Sequence, residues 1–146
     1  MQGEAELEAH IKQRWSQYFP KYRLIQFQMP VLGCITGDKI GYVDFAFKTK
    51  TSKFLVEIKN TDLGTVDFWA ALKVVGYAKS MNLTFFKNSK NDHDHYRPVI
   101  MIKKEILTYD LLPILYQLRC GYIAFEIKEN FVDMDIHLNH LSASFI

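Results

Sequence analysis

Much of what assigns a function at sight is missing from these 146 residues. There is no glycine-rich phosphate loop, no G-x-S-x-G elbow, no internal repeat and no identifiable Ser-His-Asp grouping. The chain therefore carries no signature of a nucleotide cradle or a serine hydrolase. No apolar run approaches a membrane span. The start, M-Q-G-E-A-E-L-E, is acidic and has no apolar stretch of the signal-peptide kind, so a cytoplasmic protein with no membrane partner is expected. Cysteine is scarce. Cys34 and Cys120 lack C-x-x-C spacing, and free buried thiols in a reducing compartment are expected, with one disulfide as the alternative. Net charge is small as well, at +2, so bulk charge says little about a nucleic-acid partner.

What is present is apolar and aromatic. A hydrophobic content of 49% with 14% aromatic residues, in a chain of this length, argues for one packed domain spanning 1–146 and against disorder. The charge is also unevenly spread. Residues 1–47 balance, 48–104 hold 11 basic against 5 acidic residues, and 105–146 hold 2 against 6. A phosphate backbone would find its positive surface in the middle segment.

In chain order, Leu7, Ile11, Trp15 and Tyr18 recur at helical spacing, which predicts a helix over Gly3 to Phe19 stopped by Pro20. Arg23 to Met29 reads as a strand ended by Pro30, and Gly33 to Asp38 as turn material. Thr65 is a plausible N-cap, with Asp67 in the first turn, for a helix running to about Met81 whose buried face is Val66, Trp69, Ala70, Val74, Tyr77 and Ala78. Leu83 to Phe86 is short and apolar and reads as a strand. The polar stretch with His93, Asp94 and His95 reads as an exposed loop near the substrate, because adjacent ligands lack the braced geometry of a zinc site. Val99 to Ile102 is a strand, Asp110 to Leu118 a helix with Pro113 in its first turn, Gly121 to about Lys128 a strand, and Phe131 to Leu138 a last strand. Helices alternating with strands predict an α/β sandwich, a mixed central sheet flanked by helices.

One stretch carries chemistry: V-D-F-A-F-K-T-K-T-S-K-F-L-V-E-I-K-N, from Val43 to Asn60. Val43, Phe45 and Phe47 alternate with Asp44, Ala46 and Lys48, the polar K-T-K-T-S-K turns the chain, and Phe54 to Ile58 forms the second strand of a hairpin. Glu57 and Lys59 share a strand face. Cross-strand pairing can bring Asp44 beside them. Two close carboxylates repel unless they share a hard cation such as Mg2+. A lysine beside it can orient water and offset charge in a phosphorane-like transition state. The plainer alternative is three charges on a solvated strand face. Glu57, however, lies within an apolar strand, where an unpaired charge is costly.

Asp44, Glu57 and Lys59 resemble the D…E-x-K core of the PD-(D/E)XK nuclease superfamily, with Val43 standing where the motif's name has proline. The resemblance covers roughly residues 3 to 128 in element order and implies a restriction-endonuclease-like αβββαβ core. It also implies an Mg2+-dependent deoxyribonuclease (Mn2+ substituting) of junction-resolving, homing or mobile-element type. Asp44, Glu57 and the Ile58 carbonyl would hold the metal, and Lys59 would orient or activate water. Relatives place a glutamate on the first helix, three residues before an apolar position in archaeal Holliday-junction resolvases. Glu8 before Ile11 matches that pattern, with Glu4 the second choice and a plain helix-dipole role the alternative. The stretch K-V-V-G-Y-A resembles the Q-x-x-x-Y helix of RecB-type and type I restriction nucleases, with Lys73 in place of the glutamine and Tyr77 as the tyrosine. Lys73, with Lys48, Lys50 and Lys53 around the turn, is expected to contact phosphates of DNA; the plainer alternative is a Lys73 that only snorkels from the edge of the apolar stripe, and Tyr77 reads as core. Small nucleases of this kind commonly work as homodimers or larger assemblies. The alternative function is a restriction-like fold without catalysis that binds nucleic acid or protein.

Overall fold

In the computed structural model, which describes residues 3–60, 64–86, 95–108 and 110–138, the sheet has six strands in sequential order. They are β1 (Arg23–Leu32), β2 (Lys39–Lys48), β3 (Lys53–Lys59), β4 (Tyr96–Lys103), β5 (Gly121–Ile127) and β6 (Val132–His137). β1 to β3 form an antiparallel meander, β3–β4 and β4–β5 are parallel, and β6 returns antiparallel to β5. The parallel pairs need crossovers. Helix α3 (Gly64–Phe86) supplies the first, and α4 (Leu111–Gln117) lies within the second. The opening helical segment is α1 (Glu4–Gln13) followed by the single-turn α2 (Trp15–Tyr18).

Two apolar layers sandwich the sheet. Leu7, Ile11 and Phe19 pack on Phe45, Phe47, Phe54, Val56 and Ile58. On the other face Ala70, Ala71, Val74, Val75, Ala78 and Met81 of α3 pack on Leu55, Ile100 and Ile102. Period-2 alternation sorts β3 cleanly between them, Phe54, Val56 and Ile58 to the α1 side and Leu55 to the α3 side. That parity puts Glu57 on the α3 side.

Five expectations change. The first helix breaks at Arg14, whose backbone (φ −124°, ψ 33°) is not helical. Past the break, Trp15 donates its indole N–H to Tyr22 O and stacks on Phe19 with ring centroids 4.3 Å apart. Pro30 does not end β1. As β1 is an edge strand, a residue without N–H can face outward and forfeit no ladder bond. Leu83 to Phe86 continues α3, since no glycine or proline stands between Tyr77 and the helix end. Nearby, Asn82 holds the start of β4 by donating to Tyr96 O and accepting from Tyr96 N. Trp69 is 67% exposed, because the buried stripe of α3 is centred on Ala70, Ala71, Val74, Val75 and Ala78 and leaves it to one side. Thr65 stands inside α3, which begins at Gly64. The side chains of 64–67, with His93 and Asp94, lie outside the described residues. Both cysteines are free, Cys120 buried and Cys34 only partly so.

The β1–β2 hairpin changes sides at its middle. Phe27 packs in the α1 layer and Met29 in the α3 layer, although residues two apart on a flat strand share a face. Phe45 and Val43 switch in the same way on the partner strand. Between them stand Gln28 and Asp44, facing each other in register, and Gln28 has a left-handed backbone with φ of 50°. For a residue with a Cβ that conformation costs roughly 1–2 kcal/mol. Beyond this point the hairpin lies over α3, with Ser80 Oγ donating to Leu32 O at 2.8 Å.

Gly41 sits where the hairpin meets Tyr77, and a methyl group added there would overlap the phenol ring end. Gly41→Ala is therefore expected to destabilise the protein by about 1–3 kcal/mol. A lower urea midpoint with unchanged slope would show it.

Candidate active site

The acidic residues gather where β3 ends beside the middle of β2. The regular ladder between these strands runs to Phe45↔Val56, and the same register sets Asp44 opposite Glu57. Here a side chain takes over from the backbone: Asp44 Oδ2 accepts the Ile58 N–H at 2.6 Å. Asp44 Oδ1 accepts from Gln28 Nε2 at 3.3 Å, and the same amide donates to both Glu8 oxygens at 2.9 and 3.0 Å. Glu8 reaches the site because Leu7 and Ile11 anchor α1 on the sheet and leave the adjoining face of the helix toward Asp44. Glu4, one turn earlier, accepts the Asn60 N–H at 3.3 Å, just past Lys59. The two glutamates thus divide their work, Glu8 facing Asp44 and Glu4 the end of β3.

Glu57 is the one buried charged residue among those described, at 4% exposure. Its cation is Lys73, whose Nζ lies 3.0 Å from Oε2. The Lys73 ammonium also stands 5.6 Å from the centroid of the Tyr77 ring, so the K-x-x-x-Y pair acts as a unit on one helix face. Burial first, then the charge of Asp44, pushes the Glu57 carboxyl up to about 7 even though Lys73 pulls it down. Partial burial alone would lower the Lys73 ammonium, but the hydrogen bond and charge of Glu57 more than offset that and raise it. Glu8 is also raised, by burial and by Asp44, against the pull of Gln28 and Lys12.

Lys59 closes β3 on the strand parity of Glu57 and is half-buried. Among the described residues no ion pair involves it, so the cation that holds Glu57 in place is Lys73. Lys48, Lys50 and Lys53 are not brought to the carboxylates. Lys48 and Lys53 face each other at the far end of the β2–β3 hairpin, four strand residues or about 13 Å from Asp44 and Glu57. Gln28 was invisible to sequence reasoning. A glutamine inside an apolar strand carries no motif, and only the fold sets it across from Asp44.

The donor set suits Mg2+ in kind. Asp44 and Glu57 form an adjacent pair across β2 and β3 whose mutual repulsion a cation would relieve. Among the described residues no three carboxylate, imidazole or thiolate side chains form a cage by themselves. Mg2+ does not need one, as it commonly takes one or two carboxylates and completes its shell with water and phosphate oxygens.

Neither a family model nor a curated protein matches the chain. Among solved structures, the crystal structure of an XisH family protein from Nostoc punctiforme superposes with a TM-score of 0.58. The overlap covers 89% of this chain and 98% of that one at 8% identity. SfsA from Pyrococcus furiosus, solved in complex with Ca2+, overlaps more loosely. It gives a TM-score of 0.39 at 10% identity, over 90% of this chain and 61% of that one. At such identities the likeness to the XisH family protein speaks for the fold alone. That fold is restriction-endonuclease-like, with a six-stranded mixed sheet flanked by helices.

Proposed function

We propose that the protein is a metal-dependent deoxyribonuclease that hydrolyses phosphodiester bonds. The observation that carries this reading is the pairing of Asp44 with a buried Glu57 on facing strands, two carboxylates set side by side where a shared cation would relieve their repulsion. Asp44, Glu57 and the Ile58 carbonyl would hold Mg2+ or Mn2+. When bound, such an ion supplies Lewis-acid charge and an acidified water.

The chain's own residues do the rest. Lys59, at the mouth of β3, orients the attacking water and meets the negative charge that grows on the phosphorus oxygens. Glu8 accepts a hydrogen bond from that water or from a second solvent molecule. Lys73 has two possible partners of the same sign, Glu57 and a substrate phosphate. Lys48 and Lys53, about 13 Å away along the hairpin, and Lys50 in its turn grip phosphates some nucleotides from the cut. A homodimer would extend that grip. Ile35, Ile40 and Tyr42, at 90%, 52% and 45% exposure around the β1–β2 turn, offer apolar surface for one.

One observation favours a second reading, a fold that binds nucleic acid without cutting it. The Lys73 ammonium already neutralises Glu57. The deciding experiment is a panel of labelled duplex, junction and single-stranded DNA and RNA, incubated with Mg2+ or Mn2+ and with EDTA. Cleavage of DNA that EDTA stops is expected. Retention of substrate without cleavage under every metal condition would select the binding module.

A further inference from the structure

Gln28 is exposed, lies inside a strand, and holds a left-handed backbone that L side chains rarely adopt. No packing of its side chain explains the strain. What its side chain does instead is donate from one amide nitrogen to three carboxylate oxygens, two of Glu8 and one of Asp44. Residues in sparsely populated backbone conformations persist where their surroundings over-determine them, and such places cluster at functional sites. The same residue marks the point where the β1–β2 hairpin changes sides, so the turn that strains Gln28 also sets it across from Asp44.

We infer that Gln28 is a positioning residue that joins Glu8 of α1 to Asp44 of β2 and so makes Glu8 part of the cation site. This rests on the nuclease reading of that site. Glu8 and Asp44 carry like charge, and although Leu7 and Ile11 hold α1 on the sheet, that packing does not fix where the Glu8 carboxylate points. Glu8's oxygens have no other hydrogen-bond partner among the described residues, so the amide is what ties the glutamate to the sheet. An uncharged donor suits this task. It screens the repulsion between two anions without competing with a metal as a fixed ammonium would. Partners one step removed from a metal typically matter to its affinity by 10- to 100-fold.

The test separates the amide from the backbone. Gln28→Gly accepts φ of 50° without strain, so it should fold with a melting temperature equal to or a few degrees above wild type. Calorimetric titration with Mn2+ should nevertheless show affinity reduced by about 10-fold. Gln28→Asn, which tolerates the same backbone but is one methylene too short to span both acids, should bind Mn2+ as poorly as the glycine variant. In a Glu8→Gln background Gln28→Gly should cost nothing further, because its effect runs through Glu8. Unchanged Mn2+ affinity in Gln28→Gly, or an undiminished loss in the Glu8→Gln background, overturns the inference and leaves the nuclease reading intact. A wild-type protein that takes up no Mn2+ overturns both.

Discussion

Lys59→Ala is expected to slow DNA cleavage by about 10²-fold or more while leaving Mn2+ affinity within error of wild type. The ammonium at the end of β3 is not the one that neutralises Glu57, which falls to Lys73 at 3.0 Å, so its loss strips no charge from the carboxylate pair. What is lost is a donor that matters as negative charge develops at phosphorus. Asp44→Asn should do the opposite. An asparagine carbonyl can still accept the Ile58 N–H that Asp44 Oδ2 now takes at 2.6 Å, so the hairpin keeps its form. The pair, however, drops from two potential anions to one, and Mn2+ affinity should fall steeply. Nucleic-acid binding should survive in both variants, as phosphate contacts come from lysines elsewhere. Cleavage rates beside Mn2+ calorimetry on the three proteins decide the matter. Normal cutting by Lys59→Ala, or normal metal uptake by Asp44→Asn, removes the assigned roles.

Glu57→Gln should make the protein more stable and useless at once. With its carboxyl pushed up to about 7 from an ordinary 4.5, chiefly by burial, Glu57 binds its proton more tightly folded than unfolded. Between those two values the unfolded chain has released the proton and the folded one retains it, so stability declines as pH rises through that window. Above pH 7 the whole penalty is present, on the order of 1–3 kcal/mol. Glutamine carries no charge to desolvate, and it releases Lys73, which is half-exposed and solvated already. Denaturation at pH 8 should therefore find the variant above wild type, and at pH 4 the two should converge. Mn2+ binding should vanish in the variant. In wild type it should strengthen as pH rises toward 7 and flatten beyond, because the metal competes with that same proton. A variant less stable than wild type at pH 8 would mean that the Lys73 ion pair outweighs the desolvation of Glu57.

The hairpin that sets Asp44 beside Glu57 is legible because it uses signals a sequence carries: period-2 alternation, a polar turn, and an acid inside an apolar strand. So is the helix–strand order, apart from its ends. The errors share a cause. Pro30 and Leu83 to Phe86 were read for local propensity, while the sheet edge tolerated the one and the length of α3 absorbed the other. Helical spacing sets Trp69 at the margin of the apolar face with Ala70 and Val74, yet the buried stripe of α3 is centred on alanines and valines and leaves it out. Lys73 was placed by its motif-like spacing to Tyr77, but its pairing with Glu57 depends on how α3 crosses β3, a long-range fact. Gln28 gave no signal, for its importance lies in a backbone angle and in a partner sixteen residues away.

The order of strands has a consequence for how molecules of this protein meet. Among the described residues the sequential six-stranded sheet ends in two borders, β1 and β6, and such borders invite neighbouring chains to add on as further strands. Neither border is inviting here. β1 carries Pro30, which offers no donor, and twists across the sheet at Gln28, so it presents no long flat template. β6 alternates Asp133 and Asp135 with apolar residues, and Lys104 lies 2.7 and 3.5 Å from their carboxylates. A second copy docking strand to strand would have to bring matching acids together. Copies that associate should do so through side-chain surfaces, leaving the protein resistant to fibrillar growth even when concentrated enough to pair.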